Sequence, residues 1–343
     1  MTPRGLRMGR RHVAATVLAL VSQPAAAAGA EDAFYAGKTL RLIVGLPAGG
    51  AADAYARLVQ RHLARRIPGT PAIVVQNMPG AGSLKSVISL DAGAPLDGTV
   101  MVTFNPGLVA EALTVPERVK VDFRNYAFIG SVSEDIRICY VRSASGVRTW
   151  QDLLARTDIV FGATAPGAAG TADIAMLRNL FGANIKQVQG YAGSAAKRLA
   201  VENGEIDGEC GSWSAIPDDW LRDQKINVLL RLLPTLVPGL DPNVPFAGDL
   251  LQDERDRKVY EVLSAPIKLG RLLIVSGRVP AARVATLRAA FDAMVEDAGF
   301  LSEAQKLRLQ VAPVSGVEIA GRIADLFATS ADLVARAKAV SGD

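Results

Sequence analysis

The residues best suited to hold a ligand are glycines that stand at the start of two predicted helices. Gly49 and Gly50 follow the apolar run 40–44, and a second glycine-rich loop, 162–171, follows the apolar run 159–161. Glycines let the backbone approach a ligand closely, and the free N–H groups and positive dipole end of the next helix attract an anion. The spacing therefore predicts that backbone donors recognise a small anion such as a carboxylate.

The residues after the glycines limit the kind of anion. A phosphate-binding loop needs Gly-Lys-Ser or Gly-Lys-Thr, whereas this chain continues Ala51-Ala52-Asp53. A dinucleotide fingerprint needs a third glycine three residues further on, and none stands there. Two alternatives remain open for each loop. One is a small-anion site, and the other is a tight turn that only begins a helix, with Thr171 as the N-cap of the second one.

Side chains for catalysis or metal binding are scarce. The chain has 2 His, of which His12 lies in a segment predicted to be removed and His62 lies on or beside the apolar face of the first helix. A Ser-His-Asp arrangement or a His-rich metal site is therefore not expected, and we predict no catalytic residue, metal or cofactor. Cys139 and Cys210 both stand in strand-like runs, so a disulfide and two separate buried thiols both remain open.

The N-terminal segment 1–28 predicts export to the periplasm. Four arginines precede the apolar run 13–21, which is too short to span a bilayer, and alanines 25–28 offer small-residue cleavage sites. The formal net charge is +4, and this segment carries four Arg and no acid, so the mature chain is near 4 − 4 = 0. A nucleic-acid partner is therefore not expected, and we predict a soluble monomer.

Strand and helix patterns alternate along the rest of the chain and predict an α/β fold. The predicted strands are 40–44, 72–76, 99–104, 128–132, 136–141, 159–161, 185–189, 206–210 and 272–275. The predicted helices are 53–66, 83–90, 150–155, 172–180, 194–202, 280–297, 303–309 and 316–340. The first three strands should form a parallel βαβ series.

The pattern restarts near residue 133, which predicts two α/β domains. Residues 31–132 plus 265–343 form the first domain and 133–264 the second, each with one glycine loop. The chain then crosses between the domains twice, and we expect a hinge near 131–135 and 266–271.

Further candidate ligands stand beyond strand ends, where open α/β sheets bind small molecules. Asn105 follows a strand, and its two interpretations, a donor to a ligand oxygen or a turn-forming Asn before proline, have equal weight. Thr164 adds a hydroxyl to the second loop, and Ser212 follows another strand. Asp207 is expected to act as a buttress, because a carboxylate would repel an anionic ligand.

An ordered set of motifs resembles the periplasmic solute-binding proteins of tripartite tricarboxylate transporters, the Bug family. The set is Ile43-Val-Gly-Leu-Pro-Ala-Gly-Gly-Ala-Ala-Asp53, Val75-Gln-Asn-Met-Pro-Gly-Ala-Gly82, Pro95-Leu-Asp-Gly-Thr99, Gly162-Ala-Thr-Ala-Pro-Gly-Ala-Ala-Gly-Thr171, Gly190-Tyr-Ala-Gly193 and Asn203-Gly-Glu-Ile-Asp207. The family usually has Pro at position 45, an aromatic residue at 46 and Glu at 76, and region 211–263 matches it poorly.

The resemblance implies a type II-like periplasmic binding protein that closes on a small organic acid and delivers it to transporter membrane subunits. The predicted binding set is Leu46, Ala48, Gly49, Gly50, Asp53, Asn105, Thr164, Pro166, Gly167, Ala168, Gly170, Thr171, Tyr191 and Ser212. Two alternatives remain: an α/β enzyme acting on a carboxylate substrate, and a periplasmic protein that senses the acid.

Overall fold

The computed structural model describes Met1 and residues 34–166 and 168–342. The predicted signal segment, apart from Met1, and the predicted binding residue Gly167 lie outside the described residues. No helix within the described part of the chain is long and apolar enough to cross a membrane.

Eleven strands and the helices between them make up the described fold. The strands are β1 (Thr39–Val44), β2 (Ala72–Asn77), β3 (Val100–Thr103), β4 (Tyr126–Ser131), β5 (Arg137–Arg142), β6 (Val160–Gly162), β7 (Lys186–Val188), β8 (Gly208–Ser212), β9 (Ile226–Arg231), β10 (Leu272–Ser276) and β11 (Val314–Ser315). The helices are α1 (Ala51–Leu63), α2 (Leu84–Ile88), α3 (Gly107–Thr114), α4 (Trp150–Leu154), α5 (Ala169–Asn179), α6 (Ser194–Glu202), α7 (Asp218–Arg222), α8 (Glu254–Leu269), α9 (Ala281–Val295), α10 (Ala298–Lys306), α11 (Gly316–Phe327) and α12 (Ala331–Ser341).

The first sheet has the strand order β11-β4-β10-β3-β1-β2. β1 pairs in parallel with β2 and β3, so the predicted βαβ series is confirmed. β10 runs antiparallel to β3 and β4, because the chain returns to this sheet from the other lobe. Leu58 and Leu63 of α1 are fully buried against this sheet, as the 3.6-residue periodicity predicts.

The second sheet has the order β7-β6-β8-β5-β9. β6 is parallel to β7 and β8, whereas β5 is antiparallel to β8 and β9. Cys139 lies directly opposite Cys210 in the β5–β8 register, and the two form a disulfide. The sequence had left this pairing open, and the register resolves it, because opposed residues bring their sulfur atoms together.

Several helices differ from the sequence prediction. α3, α7 and α8 were not predicted; α7 lies in the region 211–263 that matches the family motifs poorly, and α8 begins there. The predicted helix 303–309 is α10, which begins at Ala298 and ends at Lys306. The predicted helix 316–340 is two helices, α11 and α12, separated by residues 328–330. α12 then reaches the second lobe, where the Asn179 amide of α5 donates to the carbonyl of Val340 at 2.8 Å.

The two crossings between the sheets run side by side. The Val132 N–H donates to the Arg271 carbonyl at 3.2 Å, and the Arg271 N–H donates to the Ser133 carbonyl at 2.8 Å. Gly270 has φ +57°, and a Cβ there would lie 1.8 Å from the Ser133 oxygen, so only glycine lets the crossings approach so closely. The predicted fold class, two α/β lobes joined by two crossings, is confirmed.

Candidate functional site

A cavity of about 460 Å³ lies between the two lobes. Most of its wall consists of loops that follow β1, β2 and β3 in the first lobe and β6 and β7 in the second, together with the last residues of β8. These loops all leave the carboxyl ends of strands, which is where α/β sheets place their ligands. The cavity is therefore the candidate binding site.

Three helix N-termini converge on this cavity from both lobes. α1 begins after Gly50, α5 after Ala168 and α6 after Gly193, and each of these N-cap residues lines the cavity. None of the three helices has a side-chain hydrogen bond that caps its first turn. Uncapped N–H groups and three positive dipole ends make the cavity favourable for an anion.

Asp53 supports the first loop and lies outside the cavity wall. Its carboxylate accepts hydrogen bonds from the Gly49 N–H, Arg57 Nε and Asn77 Nδ2, each at 3.0 Å. Burial raises the pKa of the Asp53 carboxyl, but the bonds from Arg57, Gly49 and Asn77 outweigh that effect and leave it lowered. Asp53 therefore stays ionised and fixes the glycine loop to α1.

Thr171 likewise holds its loop together. Its hydroxyl donates to the Ala165 carbonyl at 2.7 Å, and the side chain is buried outside the cavity wall. The N-cap of α5 is Ala168, so the alternative with Thr171 as N-cap is wrong. The threonine lies in the first turn of α5, where its hydroxyl bonds back to the loop.

A third loop, 79–83, lines the cavity and was not among the predicted binding residues. Ala81 and Ser83 have positive φ values of 46° and 86°, which are uncommon for residues with a Cβ. The Ser83 hydroxyl donates to the Gly45 carbonyl at 2.9 Å and accepts from the Asn105 N–H at 3.0 Å. A Cβ on Gly45 would lie 2.8 Å from the Ser83 Cβ, which explains the glycine at a position where the family usually has Pro. The glycine-rich motif 75–82 was the available signal.

Three cationic side chains also line the cavity, and sequence reasoning missed all of them: Arg137, Lys197 and Arg271. Each has a buried carboxylate partner. Arg137 Nε donates to Asp173 Oδ2 at 2.7 Å, Arg271 pairs with Asp135, and Lys197 pairs with Glu209. Lys197 reaches the cavity because α6 turns its side chain inward in the first turn of the helix.

The carboxyl groups of Asp173 and Asp135 have opposite pKa shifts. Burial raises the pKa of the Asp173 carboxyl more than Arg137 lowers it. Burial also acts on Asp135, but the charges of Arg271 and Arg137 outweigh it and leave the Asp135 pKa lowered. Asp135, which faces two guanidinium groups, is therefore the more firmly ionised of the two.

The remaining predicted residues fall into two groups. Those that line the cavity are Leu46, Ala48, Gly50, Asn105, Thr164, Ala168, Gly170, Tyr191 and Ser212. Those that lie outside its lining are Gly49, Asp53, Pro166 and Thr171. The Asn105 side chain accepts from the Gly107 N–H at 3.1 Å, so it forms the turn and also faces the cavity. Asp207 pairs with Arg142 at 3.0 Å and accepts from the Val160 N–H, which confirms its role as a buttress.

The two lobes approach each other closely at the rim of the cavity. A Cβ built on Gly193 would lie 3.5 Å from the Cβ and Cγ atoms of Pro47, an ordinary van der Waals distance. Gly193 belongs to the second lobe and Pro47 to the first. The loop 190–193 of the second lobe and the first glycine loop therefore approach each other over the cavity.

No protein-family model matches the chain. Two curated relatives, both UPF0065 proteins, match it in sequence. The protein of Bordetella bronchiseptica is 30% identical over 188 residues, covering 53% of this chain and 51% of the relative. That of Agrobacterium vitis is 25% identical over 201 residues, covering 57% and 55%. The chain thus spans about half the length of these relatives.

Solved structures match nearly the whole fold. The periplasmic binding protein BugD has a TM-score of 0.72 at 17% identity, covering 89% of this chain and 98% of its own. MatC from Rhodopseudomonas palustris, solved with malate, has a TM-score of 0.68 at 16% identity, covering 89% and 99%. An R. palustris protein solved with adipate has a TM-score of 0.69 at 17% identity, covering 88% and 97%. The fold is that of periplasmic binding proteins, and the predicted resemblance to the Bug family is confirmed.

Proposed function

We propose that this protein is an extracytoplasmic solute-binding protein that captures a small organic acid in the interlobe cavity. It then delivers the acid to the membrane subunits of a tripartite tricarboxylate-type transporter. The observation that carries this proposal is the convergence of three uncapped helix N-termini from both lobes on one cavity. An anion held there completes hydrogen bonds that otherwise go to water.

The expected affinity is consistent with such a site. A charge-assisted hydrogen bond contributes about 1.5–3 kcal/mol net, and a micromolar complex needs about 8 kcal/mol. Three to five such bonds to a carboxylate are of the right order after ordering costs are subtracted. The backbone donors near Gly50, Ala168 and Gly193 can supply them, and Lys197 and Arg137 add side-chain N–H donors at the second-lobe end.

The structural neighbours support this proposal, since two of them were solved with the dicarboxylates malate and adipate. The cavity walls of this chain consist mainly of Gly, Ala and Pro, with polar groups at helix starts, at strand ends and on the crossings. An acid with a short carbon chain matches that distribution of apolar and polar surface.

Binding without turnover is part of the proposal. The described residues that line the cavity include no His, and the cysteine among them, Cys210, is in the disulfide. Lys197 is held in a buried ion pair with Glu209, so its amine is not free to act as a general base. The enzyme alternative would need a general base that is free of ion pairs, and the carboxylate among the described lining residues, Asp135, is held by Arg137 and Arg271.

The periplasm is the proposed location. The predicted signal segment and the Cys139–Cys210 disulfide both support an oxidising compartment. A role in transport and a role in sensing use the same binding site. Uptake of the radiolabelled acid by cells that lack this protein distinguishes them: a transport role predicts lost uptake, and a sensing role predicts uptake that persists once the transporter is expressed constitutively.

A thermal-shift screen of the mature protein tests the binding proposal. The panel contains succinate, malate, adipate, citrate, glutamate and benzoate, with succinamide and adipamide as uncharged controls. We expect at least one acid to raise the melting temperature by several degrees and its diamide to have no effect. A panel without any stabilising acid, or equal stabilisation by acid and diamide, would contradict the proposal, and mass spectrometry of the bound acid would reveal any turnover.

A further inference from the structure

A chain of buried ionic contacts joins the second-lobe binding loop to the two crossings. Arg137 Nε donates to Asp173 Oδ2 at 2.7 Å, and Arg137 Nη1 lies 3.4 Å from Asp135 Oδ2. The other oxygen of Asp135 accepts from Arg271. These four side chains are at most 8% exposed, and their formal charges balance. The chain therefore persists only while every member keeps its partner.

The members of this series of ionic contacts lie on the helix that faces the cavity and on the two crossings. Asp173 lies in the second turn of α5, the helix whose N-terminus faces the cavity. Asp135 lies on the first crossing, where its N–H donates to the Ile267 carbonyl at 3.0 Å, and Arg271 lies on the second crossing. Asp135, Arg137 and Arg271 all line the cavity. A continuous series of ionic contacts thus connects the helix that faces the cavity to both crossings of the predicted hinge.

Arg271 extends the chain to the first lobe. Its guanidinium lies 5.4 Å from the centre of the Tyr55 ring on α1, which is the helix that begins at the first glycine loop. The same guanidinium donates to Ser212 Oγ at 2.8 Å at the end of β8. Groups from both lobes and both crossings therefore meet at Arg271, and Asp135 is the carboxylate that holds it.

We propose that Asp135 is a positioning residue for ligand binding, which holds Arg137 and Arg271 against the cavity wall and ties the two crossings together. The inference rests on the proposed function, because the arginines matter only if an anion binds between the lobes. It makes ligand affinity depend on the hinge, since any movement of the crossings displaces the cations that face the ligand.

The variant Asp135→Asn separates this role from simple electrostatics. Removing a negative charge from the cavity wall would by itself strengthen the binding of an anion. Loss of positioning has the opposite sign, and we expect binding at least tenfold weaker. Glu134→Gln is the matched control, because it removes the same charge one residue earlier, where Glu134 Oε2 accepts from the Thr235 hydroxyl outside the cavity wall.

The test has two measurements on the full mature protein. Calorimetry with the acid that gives the largest shift in the panel measures affinity. Hydrogen exchange without ligand measures the amides of Val132, Asp135 and Arg271, which bond across the crossings. We expect these amides to exchange at least tenfold faster in Asp135→Asn and at the wild-type rate in Glu134→Gln. Arg271→Lys, which keeps the charge and loses the planar fork, serves as a second variant if Asp135→Asn does not fold.

Each outcome has a distinct meaning. Unchanged exchange at the crossings overturns the positioning role, whether or not any acid binds. Wild-type or tighter affinity in folded Asp135→Asn overturns it as well. A wild-type protein that binds no acid in the panel contradicts the proposed function, while faster exchange in the variant would still support the tie between the crossings.

Discussion

The carboxylate of Asp53 accepts a hydrogen bond from the Gly49 N–H four residues before it, at 3.0 Å. Asp53, which the sequence analysis placed among the ligand contacts, thus stabilises the glycine loop from outside the cavity wall. Its three donors come from the loop, from α1 and from the end of β2. The first glycine loop is consequently held in place before any ligand arrives.

The variant Asp53→Asn tests whether the three hydrogen bonds to Asp53 hold the loop in place. The amide replaces one acceptor oxygen with a donor that faces other donors. We therefore expect the free energy of unfolding to fall by about 1–3 kcal/mol and ligand affinity to fall as well. Arg57→Ala is the control, because Arg57 is half-exposed and its loss leaves the Gly49 and Asn77 bonds intact. Denaturant titration of both variants measures the effect, and an equal loss in each would contradict this role of Asp53.

The lowered pKa of the Asp53 carboxyl predicts that the stability of the fold depends on pH. Its folded-state pKa lies below the ordinary value of 3.8, so the unfolded chain takes up the proton first as pH falls. The stabilising contribution of Asp53 is therefore complete above about pH 5, and it declines as pH falls through 3.8 towards the folded-state pKa. We expect the stability difference between wild type and Asp53→Asn to shrink below about pH 4; a difference that grows there would contradict the lowered pKa.

Gly193 provides a test of lobe closure. Gly193→Ala adds a methyl group at ordinary contact distance from Pro47, whereas Gly193→Val adds bulk that meets the proline ring. The backbone of Gly193 is extended, so both substitutions fit the local chain. We expect Gly193→Val to increase the ligand-saturated radius of gyration in small-angle scattering and to weaken binding, while Gly193→Ala stays close to wild type. Identical scattering of all three proteins would contradict closure at this contact.

The Cys139–Cys210 disulfide joins residues 71 apart in the sequence. Closing a loop of that length stabilises a fold by about 4 kcal/mol in the chain-entropy model. The double variant Cys139→Ala with Cys210→Ala should therefore melt at a lower temperature than the oxidised protein, and dithiothreitol should have no further effect on it. Equal melting temperatures with and without the bond would contradict this contribution.

The sequence predicts those parts of the site that local patterns encode. Glycines after apolar strands mark the two loops, and helix periodicity places Gly50 and Ala168 near helix starts. The cationic side chains have no such pattern. Lys197 lies in an amphipathic helix like many surface lysines, and Arg271 lies 136 residues from its partner Asp135 in the sequence. Only the fold brings such residues together.

Arg137 is the exception that offered a signal. It is a charged residue inside the apolar run 136–141, where a buried strand would carry none without a partner. One charged residue is equally typical of a strand with one solvent-exposed face, so the run alone does not show whether Arg137 is buried. The reversed direction of β10 and the break at 328–330 were hidden for a similar reason, since both depend on contacts with distant segments.

The central claim is that a carboxylate binds at the uncapped helix starts, and Gly50→Asp tests it most directly. Gly50 has φ −93°, and a Cβ at this position would meet no heavy atom closer than 4.0 Å, so an aspartate fits there and caps α1. Gly50→Asn adds the same bulk and a similar cap without the charge. Calorimetry with the best acid of the panel should show that Gly50→Asp keeps or raises the melting temperature while its affinity falls at least tenfold below that of Gly50→Asn. Equal affinity of the two folded variants would show that the ligand charge is held elsewhere.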